Sequence, residues 1–83
     1  LKVTVYTKKP CPQCDMTKSL MRREGIEFEE VDLLADLELL EKFKDEGLLQ
    51  APIVVLGNDG RRWSGFRPDL IMELKPKDEE TAA

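Results

Sequence analysis

Both cysteines of this 83-residue chain fall within one four-residue stretch, Cys11-Pro12-Gln13-Cys14, and the chain has no histidine. A bridge between them closes too short a loop to restrict the unfolded chain much. No other pair can staple distant elements, so the fold must rest on apolar burial. A chain of this length makes one domain, burying about 60–65% of its unfolded surface. With 41% apolar and 36% charged residues, the composition suits that task. No apolar run approaches the roughly 18 residues of a transmembrane helix. The N-terminus, Leu1-Lys2-Val3-Thr4-Val5-Tyr6, alternates like a strand and lacks the apolar core of a signal peptide. The expectation is a cytoplasmic domain that is not embedded in a membrane.

Lys2 to Thr7 reads as a strand. Pro10 breaks it, and Pro12 sits where the first helical turn tolerates a missing N–H. Cys14, Thr17, Leu20, Met21 and Glu24 then recur at helical spacing, and Gly25 is a stop. Ile26 to Asp32 predicts a second strand. Leu37, Leu40, Phe43 and Lys44 predict a second amphipathic helix, ending at Gly47. Ile53-Val54-Val55-Leu56 reads as a buried central strand. Gly57-Asn58-Asp59-Gly60 turns the chain into a hairpin with Arg61-Arg62-Trp63-Ser64. Pro68-Asp69 opens a last short helix through about Leu74. The order is β-α-β-α-β-β-α, with a parallel strand–helix–strand unit and an antiparallel hairpin in one mixed sheet flanked by helices. Residues 1–75 form the expected domain and 76–83 a flexible tail.

The net charge of −4 argues against a nucleic-acid binder, whose affinity comes mostly from a basic face. The charge is uneven: residues 1–25 hold six basic residues against two acidic, and residues 26–46 two against nine. The expected account of the second segment is a solvated acidic helix, the alternative being a mildly positive surface set apart from an acidic one where the two ends meet.

Cys-x-x-Cys beside a strand–helix–strand pattern reads as a thiol–disulfide redox pair. At the first turn of a helix, positions i and i+3 are neighbours, so the two sulfurs can bond with little backbone movement. Cys11 lies at the helix N-terminus, where unpaired N–H groups and the macrodipole favour a thiolate, with Lys8 and Lys9 close in sequence. Cys14 lies one turn further in, on the apolar face. Cys11 is therefore the expected nucleophile and Cys14 the resolving thiol. A zinc site needs about four ligands, and two cysteines without histidine do not supply them, so no metal is expected. Trp63 and Phe66 are of types that usually pack a core, although Trp and Arg, here Trp63 and Arg67, also dominate binding surfaces.

Three stretches resemble the NrdH-redoxins: Val3-Thr4-Val5-Tyr6-Thr7-Lys8, Leu49-Gln50-Ala51-Pro52-Ile53-Val54-Val55 and Trp63-Ser64-Gly65-Phe66-Arg67-Pro68-Asp69. The last is far more specific than Cys-x-x-Cys. The resemblance implies a thioredoxin/glutaredoxin-like fold with a four-stranded sheet, and a cis proline at Pro52 against the cysteine pair. It implies that Ala51 presents backbone groups to a substrate chain. It implies an active-site loop formed by Lys8, Pro12 and Gln13, and partner contacts through Ala51, Pro52, Trp63, Ser64, Gly65, Phe66 and Arg67. It further implies a monomer without a bound cofactor. Such a protein is recharged by NADPH through thioredoxin reductase, the flavin belonging to that partner, and it serves the large subunit of class Ib ribonucleotide reductase.

Two departures stand out. Pro12 is the glutaredoxin choice where the resembled family has Val, and Gly60-Arg61-Arg62 lengthens the hairpin. Conversely, Gln13 replaces the glutaredoxin tyrosine, and the acid that would hold glutathione's amino group is missing, with Arg67 nearby and Asp69 a possible spatial substitute. The rival readings are a glutathione-dependent glutaredoxin, an iron–sulfur or zinc module sharing Cys11 between two chains, and a redox-inactive adaptor using the Trp63–Arg67 loop.

Overall fold

The computed structural model describes residues 2–57 and 60–74, so the expected tail and the Asn58-Asp59 turn lie outside the described residues. Strand β1 (Val3–Thr7) buries Val3, Val5 and Thr7 on one side, as its alternation requires. It is central. β2 (Glu29–Asp32) pairs parallel to it, with Val5 opposite Glu30, and β3 (Ile53–Leu56) pairs antiparallel, with Val5 opposite Val54. β4 (Arg62–Ser64) closes the hairpin against β3, with Trp63 opposite Val54. The sheet order is β2-β1-β3-β4. This is the thioredoxin/glutaredoxin fold expected from the sequence.

Helix α1 (Pro12–Arg23) has Pro12 in its first turn and stops at Gly25, whose φ is +75°. The Ile26 N–H returns to the Met21 carbonyl at 2.9 Å. That bond is why the second strand starts later than Ile26: the residue is buried as part of the helix terminus and is withheld from the ladder. Between β2 and α2 (Leu37–Asp45) lies an unanticipated 3₁₀ turn, Leu33–Ala35. Asp32 accepts the Leu34 N–H at 2.9 Å, and Asp36 accepts the Leu39 N–H at 3.1 Å, capping the turn and the helix in succession.

The α2 stripe also differs from expectation. Leu37 is 64% exposed and Lys44 is exposed, while burial follows Leu39, Leu40 and Phe43, with Leu33 from the turn completing the same cluster. The turn rotates the helix entry, and Leu33 takes the inward place that spacing alone gave to Leu37. α3 (Pro68–Met72) stops two residues before Leu74, which remains buried.

Two cores result, one on each face of the sheet. Val3, Val5, Val54, Leu56 and Trp63 pack with Leu20 and Met21 of α1 and Ile71 of α3. On the opposite face, Ile53 packs with Phe43 of α2, Leu33, Ala51 and Cys14. Tyr6 meets Phe43 edge-on, with ring centroids 5.1 Å apart. Among the described residues, no helix is long and apolar enough to cross a membrane.

A polar clamp ties α1 to the sheet edge. Lys18 Nζ lies 2.8 Å from Glu30 Oε2, and the buried Thr7 hydroxyl donates to the same oxygen at 3.1 Å. The Lys18 hydrogen bond, opposed by partial burial and aided by Thr7, holds the Glu30 carboxyl below its ordinary 4.5. Because the folded value is lowered, the clamp's charge contribution is present above the unfolded carboxyl range and is lost as pH falls through the folded value. Glu30→Gln should therefore lower unfolding free energy at pH 7 by more than it does in acid. Urea unfolding at both pH values checks this, and an equal loss at both would contradict the charge account.

Candidate active site

The strand-to-helix junction sets the position of the first sulfur. Beyond the Lys8–Pro10 loop that follows β1, Cys11 is extended and forms the N-cap of α1, its Sγ accepting the Cys14 N–H at 3.1 Å. Serine, threonine, aspartate or asparagine normally makes this bond through oxygen. Here sulfur makes it, so a backbone donor points at the outer sulfur of the pair, an arrangement that favours negative charge there. The two residues form a disulfide with Cα atoms 5.2 Å apart, within the ordinary range. Cys14 is 2% exposed, whereas Cys11 is half-buried. One sulfur faces outward and the other is sealed beneath it.

Around the pair, two segments remote in sequence converge. Ala51-Pro52 is cis, and so is the bond to the strand-breaking Pro10, Lys9-Pro10. The Ala51 carbonyl oxygen lies 3.6 Å from Cys11 Sγ. The Pro52 carbonyl accepts the Gly65 N–H at 2.8 Å. The Phe66 N–H donates to Gln13 Oε1 at 2.9 Å, tying the 63–67 loop directly to the residue between the cysteines. Gly65 has φ +82°, and a Cβ there would meet both Gln13 Oε1 and Gln50 Oε1 at 3.3 Å.

The remaining residues singled out from sequence divide clearly. Pro52 and Gly65 are buried, Ser64 and Phe66 half-buried, and Pro12, Gln13 and Arg67 exposed at the rim. Trp63, grouped above with the partner contacts, is 6% exposed and packs in the larger core, supporting the loop from beneath. Lys8 and Lys9 are exposed on the β1–α1 loop. Arg67 and Asp69 form a two-pronged pair, Nε–Oδ1 at 3.3 Å and Nη2–Oδ2 at 3.1 Å. The Arg67 hydrogen bond, against slight desolvation, holds the Asp69 carboxyl below its ordinary value. The spatial substitute for a glutathione-binding acid is thus already engaged. Gln50 joins the site unannounced by its own residue type; its place immediately before Ala51-Pro52 is the signal in the sequence. Among the described residues, no group of three or more cysteine, aspartate or glutamate side chains is arranged to hold a metal ion.

Comparison with known proteins agrees with this geometry. A glutaredoxin family model matches residues 3–60. The glutaredoxin-like protein NrdH of Escherichia coli K12 is 38% identical over 76 residues, covering 92% of this chain and 91% of that protein. This chain belongs to the glutaredoxin family, among the NrdH-redoxins. The NrdH protein of Lactococcus lactis subsp. lactis is 36% identical over 72 residues, 87% of this chain and 97% of its own length. The solved NrdH-redoxin of Escherichia coli, described as glutaredoxin-like with a thioredoxin-like activity profile, superposes with a TM-score of 0.83, covering 92% of this chain and 97% of that one. Like those relatives, this redoxin is a thiol–disulfide oxidoreductase with its redox cysteines at 11 and 14.

The loop's dependence on one glycine can be measured. Gly65→Ala forces a side chain into the left-handed region, at about 1–2 kcal/mol, with the two facing amides obliged to shift. A urea midpoint equal to that of the parent redoxin would show that the loop relaxes freely.

Proposed function

We propose that this redoxin carries electron pairs from NADPH, through thioredoxin reductase, to the large subunit of class Ib ribonucleotide reductase and to other accessible disulfides. The observation that carries the reading is the asymmetry of the sulfurs, with Cys11 capped by a backbone donor at the surface and Cys14 buried under it.

In the reduced protein, the Cys11 thiolate attacks one sulfur of a partner disulfide. A new S–S bond forms, the partner's bond breaks, and its second sulfur leaves as a thiolate that takes up a proton. Cys14 then loses its proton and attacks Cys11. The Cys11–Cys14 bond forms, the mixed disulfide breaks, and the partner departs as a dithiol. Two electrons and two protons have moved to the partner. The reductase returns both, its flavin and nicotinamide remaining its own, so the redoxin needs no cofactor.

The Ala51 carbonyl beside Cys11 and the main chain at Gly65 and Phe66 form the rim along which a partner's disulfide segment lies, as the NrdH resemblance implies. Pro12 and Gln13 shape the helix start, and Ser64 and Arg67 border the rim. Lys8 adds positive charge on the same loop as Cys11. Preference for a protein reductase over glutathione is supported by the Arg67–Asp69 pair, which leaves an incoming ammonium group to compete for an already engaged carboxylate. The reading is of a cytoplasmic monomer.

NADPH consumption should be sustained with thioredoxin reductase and a disulfide substrate, and should be far slower when glutathione and glutathione reductase replace it. Faster turnover with glutathione would overturn the partner assignment. Cys11→Ser should reduce turnover to the level without redoxin. Cys14→Ser should accumulate a mixed disulfide, visible by intact mass. Persistent turnover by Cys11→Ser would remove Cys11 as nucleophile.

A further inference from the structure

Thr17 is fully buried, at 0% exposed, and its hydroxyl oxygen has no hydrogen-bond partner. Such a group inside a protein carries a desolvation cost that nothing offsets, and valine fills the same volume without it. Thr17 stands three residues after Cys14 in α1, and both face inward. Side chains three apart on a helix are neighbours. They lean toward the helix N-terminus, so Thr17 lies over the turn that carries Cys14.

The structure records the oxidised form, in which the Cys14 sulfur is committed to Cys11. Cys11 receives the Cys14 N–H. Leu33, Phe43, Ala51 and Ile53 share the apolar cluster of Cys14, with Tyr6 at its margin. Breaking the disulfide leaves a second sulfur, thiol or thiolate, in that environment.

We propose that the Thr17 hydroxyl is the hydrogen-bond donor for the Cys14 sulfur in the reduced protein, unpartnered while the disulfide is closed and engaged once it opens. The inference rests on Cys14 being the resolving thiol. The hydroxyl then favours the dithiol twice over: its own polar group is satisfied only there, and it solvates the sulfur that must later attack Cys11. Removing it shifts the balance toward the disulfide.

The measurement is the equilibrium of the whole redoxin with dithiothreitol and its cyclic disulfide. In that exchange dithiothreitol gives two electrons and two protons to the Cys11–Cys14 bond and is itself oxidised. The mixture is quenched in acid, and the dithiol fraction is counted by alkylation and intact mass. Thr17→Val should raise the disulfide-to-dithiol ratio about tenfold, ~30 mV for a two-electron couple, and Thr17→Ser should restore the parent ratio. Thr17→Ala, which removes the hydroxyl without branching, should shift the ratio in the same direction and serves if the valine variant does not fold.

A change below threefold in a folded variant lacking the hydroxyl, or a change that serine does not restore, overturns the proposal. A purely structural role would alter the unfolding midpoint and leave the redox ratio unchanged. The underlying reading fails separately: it falls if Cys14→Ser of the otherwise unaltered chain releases its partner as fast as the parent and no mixed disulfide accumulates, whatever Thr17 does.

Discussion

The bond from the Cys14 amide to the Cys11 sulfur organises both the fold and the chemistry of this protein. It caps α1 four residues after β1 ends at Thr7, and makes a disulfide-forming atom serve as a helix cap. A capping oxygen would satisfy the same N–H, but only sulfur lets the cap also exchange electrons. The cost is that the cap is bonded to its own helix when oxidised and becomes a separate sulfur when reduced. The first turn must accommodate both states, and Pro12, with no N–H to leave unpaired, helps it do so.

The rest of the domain holds that turn against a second surface. β1 is the central strand and delivers the loop from the middle of the sheet. β3 begins immediately after Ala51-Pro52, so the Ala51 carbonyl beside Cys11 is positioned by a strand paired with β1 itself. The 63–67 loop is fixed by two backbone donors, one to Pro52 and one to Gln13. Its root, Trp63, is buried between β3 and the helices on the larger core face. Rigidity at the site thus comes from main-chain bonding to the sheet, in keeping with sites built on elements more than on free loops.

Much of this was legible in the residues. The alternation of Val3 to Thr7, the apolar run Ile53–Leu56 and the glycine stops gave the element order because each rests on local chemistry. The cysteine asymmetry followed from position within the first helical turn. What spacing could not give was the consequence of tertiary choice. Leu37 fits the helical stripe but lies outside because the Asp32-capped turn brings Leu33 inward. Ile26 continues the strand pattern but is claimed by the end of α1. Gln13 and Gln50 are 37 positions apart in sequence, and no local pattern announces that they meet at Gly65. The Trp63–Asp69 stretch drew attention as a motif, yet its division into a buried root, a main-chain rim and an exposed ion pair emerged only in three dimensions.

Cys14 belongs to the smaller of the two cores, beside Leu33, Phe43, Ala51 and Ile53, even though its helix mainly covers the opposite face of the sheet. Opening the disulfide therefore replaces half of a covalent bridge by a separate thiol inside the packing that seats α2. The disulfide thus touches the back of the molecule, through van der Waals contact, as well as its outer edge. Helix α2 therefore rests, through Phe43, on the same small cluster that holds one of the two bridging sulfurs.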